Sequence, residues 1–256
     1  MRSADDVFED IEKDRAQREA EIRLLENFVS NTSDENERNM LRRSIVLLTY
    51  SHFEGFCKFA LLAYTGAINS LKITCSDAAT PLVAVTLSKV FAALRDVNSK
   101  HPYFSSKLPD DRDLHQLAKE RIFIEGFENI SKQVVEIPDK IVDTKSNLNS
   151  MILKRNLYQI GLQYPVLDKH AGTIDKLLGV RNAIAHGDAL KIPKDSDVKE
   201  YISAAFEVMQ FIQTEVYTAL NGKVYQRDST EELPMGVSSQ SFVQRATTAF
   251  HMLIGR

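Results

Sequence analysis

Three side chains within residues 179–189, of sequence GVRNAIAHGDA, could act together in catalysis: Arg181, Asn182 and His186. A histidine can take or give a proton near neutral pH, and an arginine presents charged donors that match phosphate oxygens. An asparagine can hold a hydroxyl or a phosphate oxygen without adding charge. These residue types suit metal-free cleavage of RNA, in which the 2′-hydroxyl attacks the neighbouring phosphorus and arginine stabilises charge on the phosphate oxygens. DNA lacks this hydroxyl, so the chemistry implies RNA.

The three residues fit near the end of one helix, for which Thr173 is a good N-cap and Gly187 a good stop residue. Asn182 and His186 are four residues apart and project from the same face. Arg181 and His186 are five residues apart, which separates them by about 140° around an ideal helix. These two meet at one phosphate only if the helix unwinds at His186, where Gly187 permits it, or if a second copy of the helix faces the first.

Two other interpretations compete with this one. On spacing alone, the commoner interpretation of the segment is structural, a well-capped helix end with His186 near the negative end of the helix dipole. Upstream, Asp139, Asp143 and Lys145 are the residue types of a metal-dependent DNA nuclease. That chemistry usually needs the second acid and the lysine on a core strand some distance downstream, and here they are closely spaced in a predicted loop. We therefore set that nuclease aside and expect no metal site.

The composition favours helices as the elements that hold this segment. The 256 residues include only 10 Gly and 7 Pro, too few turn residues for many short strands. Apolar residues at helical spacing predict an all-α fold, an antiparallel helical bundle. Its predicted regions are an N-terminal helix (1–35), a helical domain (36–222) with a helical and loop insertion at 74–146, and a C-terminal tail with one helix (223–256).

The most apolar segment, residues 44–68, is expected to be a buried helix rather than a membrane span, because His52, Glu54 and Lys58 lie in its middle. His52 is expected to be a core histidine with its hydrogen bonds satisfied. The aromatic side chains at helical spacing are assigned to the core: Tyr50, Phe53, Phe56 and Phe59.

Charge is distributed unevenly along the chain. The net charge of −3 does not by itself indicate a nucleic-acid-binding protein. However, residues 147–194 hold 7 Lys and Arg against 3 acids, whereas residues 1–40 hold 12 acids against 6 Lys and Arg. A positive field around the motif could hold phosphates. The N-terminal residues lack the apolar stretch of a signal peptide, and the two cysteines are poorly placed for a disulfide, so we expect a cytoplasmic protein.

The segment LLGVRNAIAHGD resembles the signature of the HEPN superfamily, an arginine followed by four to six mostly apolar residues and a histidine. Arg181, Asn182 and His186 match it with the four-residue spacing. Many members carry, on an upstream helix, an acid followed four residues later by a base, as do Glu54 and Lys58 here. Three segments are similar in particular to the prokaryotic MAE_28990/MAE_18760-like HEPN group: LRRSIVLLTYSHFEGFCKFAL, SNLNSMILKRNLYQIGL and TIDKLLGVRNAIAHG.

This resemblance implies an α-helical bundle that dimerises and brings two motifs together at the interface. Many such proteins are metal-independent endoribonucleases of toxin–antitoxin or phage-defence systems. By resemblance, His186 handles protons, Arg181 holds the scissile phosphate and Asn182 orients the substrate. Glu54 and Lys58 would support these three residues or bind RNA, or else form a simple ion pair along their helix.

The implied partners are RNA, a second copy of the chain and an antitoxin or defence-system protein, with no membrane and no cofactor. The alternative is a catalytically inactive HEPN module that binds RNA or a partner protein. A third alternative is a purely structural helical adaptor.

Overall fold

The computed structural model describes residues 2–101 and 111–227 of the chain. In these two ranges it contains nine α-helices, one 3-10 turn and no β-strand, which confirms the predicted all-α fold. The helices are α1 (Ala4–Asn31), α2 (Glu35–Leu71), α3 (Thr80–Thr86), α4 (Ser88–Arg95), α5 (Arg112–Glu125), α6 (Phe127–Lys132), α7 (Ser150–Gln159), α8 (Val166–Ala185) and α9 (Asp195–Asn221), with the 3-10 turn at Asp139–Ile141.

Four long helices, α1, α2, α8 and α9, form the central bundle. Val7, near the start of α1, belongs to the same buried cluster as Ile68, near the end of α2. Ile22, in the second half of α1, belongs to a different cluster together with Ile45, near the start of α2. The two helices therefore run antiparallel, as expected for neighbours joined by a connection of only a few residues.

The core consists of a large cluster and a smaller one. The large cluster fills most of the bundle and includes side chains of α1, α2, α3, α7, α8 and α9. The smaller cluster lies where α8 ends and α9 begins, and it underlies the segment with the candidate catalytic residues. Its buried members are Ile22, Ile45, Val46, Tyr50, Leu177, Val180, Ile184, Val198, Tyr201 and Ile202.

Most of the predicted insertion, residues 76–132, leaves the bundle and returns to it at the same place. The Cys75 N–H donates to the Gln133 carbonyl at 2.8 Å, and the Val135 N–H donates to the Ile73 carbonyl, also at 2.8 Å. These bonds pair the chain leaving α2 with the chain that returns after α6. Between them, α3 packs against α7, and α4, α5 and α6 follow one another in contact. The domain boundaries themselves stay a prediction.

Side-chain caps begin α1 and α2, whereas α8 begins at a different residue from the one predicted. Ser3 caps α1 in a reciprocal capping box with Asp6, and the Asp34 side chain caps α2, so acids and hydroxyls stand where free N–H groups need acceptors. The prediction that the motif helix begins after Thr173 is wrong. α8 begins at Val166, directly after Pro165, because proline needs no N–H partner at a helix start. Thr173 lies inside the helix and donates to Glu200 of α9 at 2.8 Å.

By length and composition α2 could cross a membrane, and it is the one described helix that passes this test. Half of its most apolar window is buried inside the bundle, however, where α2 packs against α1, α8 and α9. Tyr50, Phe53 and Phe56 are fully buried, as predicted, whereas Phe59 is 37% exposed and the prediction that places it in the core is wrong. We therefore interpret α2 as the central helix of the bundle.

The predicted C-terminal helix falls on residues 228–256, which lie outside the described residues. Of the residues that precede it, Tyr225 is buried in the large cluster. Its carbonyl accepts a hydrogen bond from the Ala79 N–H at 2.8 Å. The chain thus stays attached to the bundle for several residues beyond α9.

Candidate functional site

The end of α8 is fixed by a hydrogen-bonded turn around His186. The Gly187 N–H donates to Ile184 at 3.1 Å and the Asp188 N–H donates to Ala183 at 3.0 Å. This is the Schellman arrangement, which requires a left-handed residue after the cap, and Gly187 supplies it with φ of 87°. The predicted stop residue is thereby confirmed. His186 is the C-cap itself, so its backbone position is well defined.

Arg181 is held by neutral partners. Its guanidinium carbon lies 4.7 Å from the centre of the Tyr50 ring, a cation–π contact between α8 and α2. One guanidinium nitrogen donates to Asn182 Oδ1 at 2.7 Å. Among the described residues Arg181 forms no ion pair with a carboxylate. Its charge is therefore oriented but not neutralised by direct contact.

Asn182 connects α8 to the loop before α7. Its amide nitrogen donates to the Asn147 side-chain oxygen at 3.2 Å, while its own oxygen accepts from Arg181. Because Asn147 lies in the loop of residues 142–149, an exposed loop residue closes a chain of polar contacts that begins at Arg181. The chain fixes the orientation of both amide groups.

Tyr50 is the buried support of this arrangement. Its hydroxyl donates to the Leu148 carbonyl at 3.4 Å, a long hydrogen bond to the same loop. Burial, followed by the negative charge of Glu54, raises the pKa of Tyr50, whereas the positive charge of Arg181 acts in the opposite direction. The phenol therefore stays protonated, and its ring contacts Arg181 while its hydroxyl donates to Leu148.

The His186 imidazole is exposed and, within the described ranges, has no hydrogen bond or ion pair to another residue. No hydrogen bond joins it to Arg181 either, although both residues are described. The loop that follows is tied to α2, because the Arg43 guanidinium donates to the carbonyls of Asp188, Ala189 and Lys191 at 2.7, 3.2 and 3.1 Å. Within a single chain, Arg181 and Asn182 are therefore hydrogen-bonded to each other, whereas the His186 imidazole lies at the same helix end without a hydrogen bond to either of these side chains.

Comparison with known proteins identifies the family. The model of the RiboL-PSP-HEPN family matches residues 13–218, most of the chain. The chain belongs to the RiboL-PSP-HEPN family. The HEPN resemblance is thereby confirmed, and the narrower likeness to the MAE_28990/MAE_18760-like group stays a prediction. No curated protein and no solved structure gives a significant match.

Membership of this HEPN family indicates an RNase-like or RNA-binding module. The matched range begins inside α1 and ends inside α9, so it includes most of the central bundle as well as the candidate catalytic residues. A single family match therefore covers most of the central bundle together with the exposed end of α8.

The two supporting residues predicted on α2 differ in their contacts. Glu54 is half-buried, and its negative charge helps to raise the pKa of Tyr50, the residue whose ring contacts Arg181. Lys58 is exposed, and it makes no hydrogen bond or ion pair with another described residue, Glu54 included. The helical ion pair considered from the sequence is not formed. Lys58 lies about 12 Å along α2 from Tyr50.

The structure also shows the contacts of His52 and of the three residues considered above for a metal-dependent nuclease. Asp143 pairs with Lys145 at 2.6 Å on the surface. Asp139 lies in the 3-10 turn. His52 is mostly buried between α1 and α2, with Nε2 2.9 Å from Glu21. In the part of the chain that the structure describes, no three His, Cys, Asp or Glu side chains gather as a metal-binding group.

Three residues of the site were not predicted: Tyr50, Asn147 and Arg43. Tyr50 was assigned to the core, correctly, but its position one turn before Glu54 on the same helix also places it beside the motif. Asn147 and Arg43 have no local sequence signal, because their contacts with Asn182 and with residues 188–191 join segments far apart in the chain. Only the packing of α2, α7 and α8 brings them together.

Proposed function

We propose that this protein is a metal-independent endoribonuclease that cleaves RNA by attack of the 2′-hydroxyl. One observation carries the proposal. In a chain of the RiboL-PSP-HEPN family, the arginine and histidine of the motif stand at a capped helix end. The histidine is open to solvent, and no carboxylate of residues 2–101 or 111–227 pairs with the arginine. Such an end can receive a phosphodiester, since the charge of Arg181 is available to it.

In the proposed reaction, His186 takes the proton of the 2′-hydroxyl, and the oxygen attacks the adjacent phosphorus. The bond from phosphorus to the 5′-oxygen breaks, and that oxygen takes a proton from water, while the proton held by His186 returns to the solvent. The products are a 2′,3′-cyclic phosphate and a 5′-hydroxyl. The guanidinium nitrogens of Arg181 that do not bind Asn182 donate to the non-bridging oxygens, where negative charge develops. Asn182, held by Asn147, orients the substrate.

We further propose that the active unit is a homodimer. Within one chain Arg181 and His186 share no contact, so a second copy could supply the missing half of each site. Three apolar side chains stand exposed at this end of the bundle, as an interface between copies would require. They are Met40 on α2, 69% exposed, and Leu190 and Ile192 in the loop after His186, 92% and 47% exposed.

The chemistry is tested with purified protein, RNA oligonucleotides and EDTA. Wild type should cleave and leave 2′,3′-cyclic phosphate ends, and His186→Ala should reduce the rate by about 100-fold or more, the scale for removing a positioned proton carrier. His170→Gln, a change of the other histidine on the same helix, should leave cleavage intact. Equal cleavage by wild type and His186→Ala would contradict the mechanism.

The dimer is tested by mixing two inactive variants, Arg181→Ala and His186→Ala. If each site takes Arg181 from one copy and His186 from the other, a mixed dimer contains one intact site, and activity partly returns. If both residues act within one copy, every site carries a substitution and no activity returns. Light scattering of the unmixed proteins reports whether a dimer exists at all.

A catalytically inactive module that binds RNA or a partner protein is the second candidate, and the separation of Arg181 from His186 favours it. RNA binding by Arg181 needs no nearby proton carrier. Binding without cleavage, equal in wild type and His186→Ala but weakened in Arg181→Ala, would support this candidate.

We propose a toxin–antitoxin or phage-defence role in the cytoplasm, with an antitoxin or defence protein as partner. Expression of the wild type should then arrest growth, whereas His186→Ala should not.

A further inference from the structure

A shallow apolar groove runs along the exposed face of α7, next to the site. It has a volume of about 500 Å³. Four of its residues lie on one face of α7 because they follow helical spacing: Met151, Lys154, Arg155 and Tyr158. The other face of α7 is buried and includes Leu153, Asn156 and Leu157. The lining residues are Met151, Ile152, Lys154, Arg155, Tyr158 and Tyr164.

Two of these side chains are large and largely exposed to solvent. Tyr158 and Met151 are each 71% exposed, although both are large and partly apolar. No aromatic ring pairs with Tyr158 among the described residues, so its face is available to a ligand. Exposed tyrosines of this kind are suitable platforms for stacking the bases of a nucleic acid.

The residues that line the groove include two cations, Lys154 and Arg155, and no acid. The nearest carboxylates are those of Asp168 and Asp143. Hydrogen bonds from Lys145 and, to a smaller extent, the charge of Arg155 lower the pKa of Asp143. Lys154 pairs with the exposed carboxylate of Asp168 at 2.6 Å. Arg155 instead donates to two neutral oxygens, the Asp143 carbonyl at 3.2 Å and the Asn156 amide at 3.4 Å. The guanidinium of Arg155 can therefore bind a phosphate without first giving up an ion pair.

The helix that carries the groove begins beside the site. Ser150, at the start of α7, donates through its N–H and hydroxyl to Asp175 of α8 at 2.8 and 2.9 Å. Asn147, three residues before Ser150, binds Asn182. Lys154 then pairs with Asp168, so α7 runs antiparallel to α8 and away from the motif. From Asn182 to Asp168 along α8 is about 21 Å, room for several nucleotides of an extended strand.

We propose that the α7 groove binds the single-stranded RNA that flanks the scissile phosphate, with Tyr158 stacking on a base and Arg155 contacting the backbone. This inference rests on the proposed function, since it assigns the substrate to one path across the surface. The combination of an aromatic platform and an unpaired cation in an apolar groove is the arrangement that binds single strands with little sequence preference. Tyr164 lines the far end of the same path.

The test measures binding and cleavage separately. Binding is followed by fluorescence anisotropy with a labelled 2′-O-methyl oligonucleotide, which lacks the reactive hydroxyl. Tyr158→Ala should weaken binding by about 10-fold, the scale of one lost stacking contact, and Tyr158→Phe should restore it. Arg155→Ala should weaken binding and reduce the slope of log affinity against log salt by about 0.7, as one phosphate contact is lost. Arg121→Ala, which removes an exposed cation of α5, should change neither.

Cleavage distinguishes the groove from the motif. With a long RNA, Tyr158→Ala should raise KM and leave kcat unchanged, and with a dinucleotide, which occupies only the motif, it should change neither constant. If wild type binds and cleaves RNA but the two α7 variants match it, the groove proposal fails and the proposed function stands. If wild type does not bind RNA, both fail. If Tyr158→Ala alters the oligomeric state instead of RNA binding, the groove is a protein interface and our proposal is wrong.

Discussion

α8 carries a histidine near each end, His170 in its first turns and His186 at its cap, and the two lie in different surroundings. His170 is 7% exposed, and its Nε2 is 3.0 Å from Glu207 Oε2, within ion-pair range but outside hydrogen-bond geometry. Lys169 also pairs with Glu207, at 2.8 Å. His186 is exposed and has no such partner among the described residues.

Two of the three basic residues of α8, Lys169 and Arg181, follow the same division. Near the start of α8, Lys169 forms an ion pair with Glu207 of α9. In the same part of the helix, Asp168 forms an ion pair with Lys154 of α7. Near its end, Arg181 rests on an aromatic ring and an amide oxygen, neither of which carries charge. A pairing carboxylate stabilises the fold but competes with an anionic ligand. We infer from this difference that the start of α8 serves mainly the stability of the fold and that its end is suited to binding an anion.

The largest effect is expected at the binding end. Arg181→Ala should lower kcat/KM for RNA cleavage by about 100-fold or more, because the charge on the phosphate oxygens loses its donor in the transition state. Lys169→Ala, which removes a paired cation from the other end of α8, should change kcat/KM by no more than about 2-fold. Similar losses in both variants would contradict the division of the helix.

A mixed effect is expected at Tyr50, which serves the core and the site together. Tyr50→Leu should lower the free energy of unfolding by about 2 kcal/mol through lost packing. It should also slow cleavage by about 10-fold, because Arg181 loses its cation–π support.

Tyr50→Phe sharpens this prediction. The ring is kept and only a long hydrogen bond of 3.4 Å is lost, so stability should fall by about 1 kcal/mol or less. Cleavage should stay near the wild-type rate. Urea denaturation and initial rates measure the two quantities, and a Tyr50→Phe variant as slow as Tyr50→Leu would show that the hydroxyl, not the ring, matters.

A smaller effect is expected from Asn147→Ala. Asn182 then loses the acceptor of its amide nitrogen and can rotate away from Arg181. One hydrogen bond of this kind is worth about 1 kcal/mol, so cleavage should slow by about 5-fold while the unfolding free energy changes little. Asn149→Ala makes a useful comparison. It removes the cap of α7 instead, and should lower stability by about 1 kcal/mol without a direct effect on the motif.

The smallest effect is expected at the stability end. The hydrogen bond from Lys169, assisted by Ser203 and His170, holds the pKa of Glu207 below its usual range. Glu207 is 44% exposed, so Glu207→Gln should cost only about 0.5 kcal/mol of unfolding free energy at neutral pH. A lowered pKa gives stability that is present at neutral pH and lost on acidification. The difference between wild type and variant should therefore shrink below about pH 4, and cleavage should not change.

Local patterns predicted much of this molecule because local physics decides them. The end of α8 at Gly187 was predicted because it depends on a single residue that tolerates a positive φ. The start of α8 was placed too late. Thr173 looks like a cap in the sequence, but it turns toward Glu200 on a neighbouring helix that the sequence does not reveal.

By itself the sequence determined the family, the all-α fold and the position of Arg181, Asn182 and His186 at a helix end, because residue types, helical spacing and a stop glycine are read within a few turns. Only the tertiary structure decided which partners the polar and charged side chains of α8 have. Tyr50, Asn147 and Glu207 reach α8 from distant segments. Contacts between distant segments depend on how the helices pack, and no local pattern encodes them.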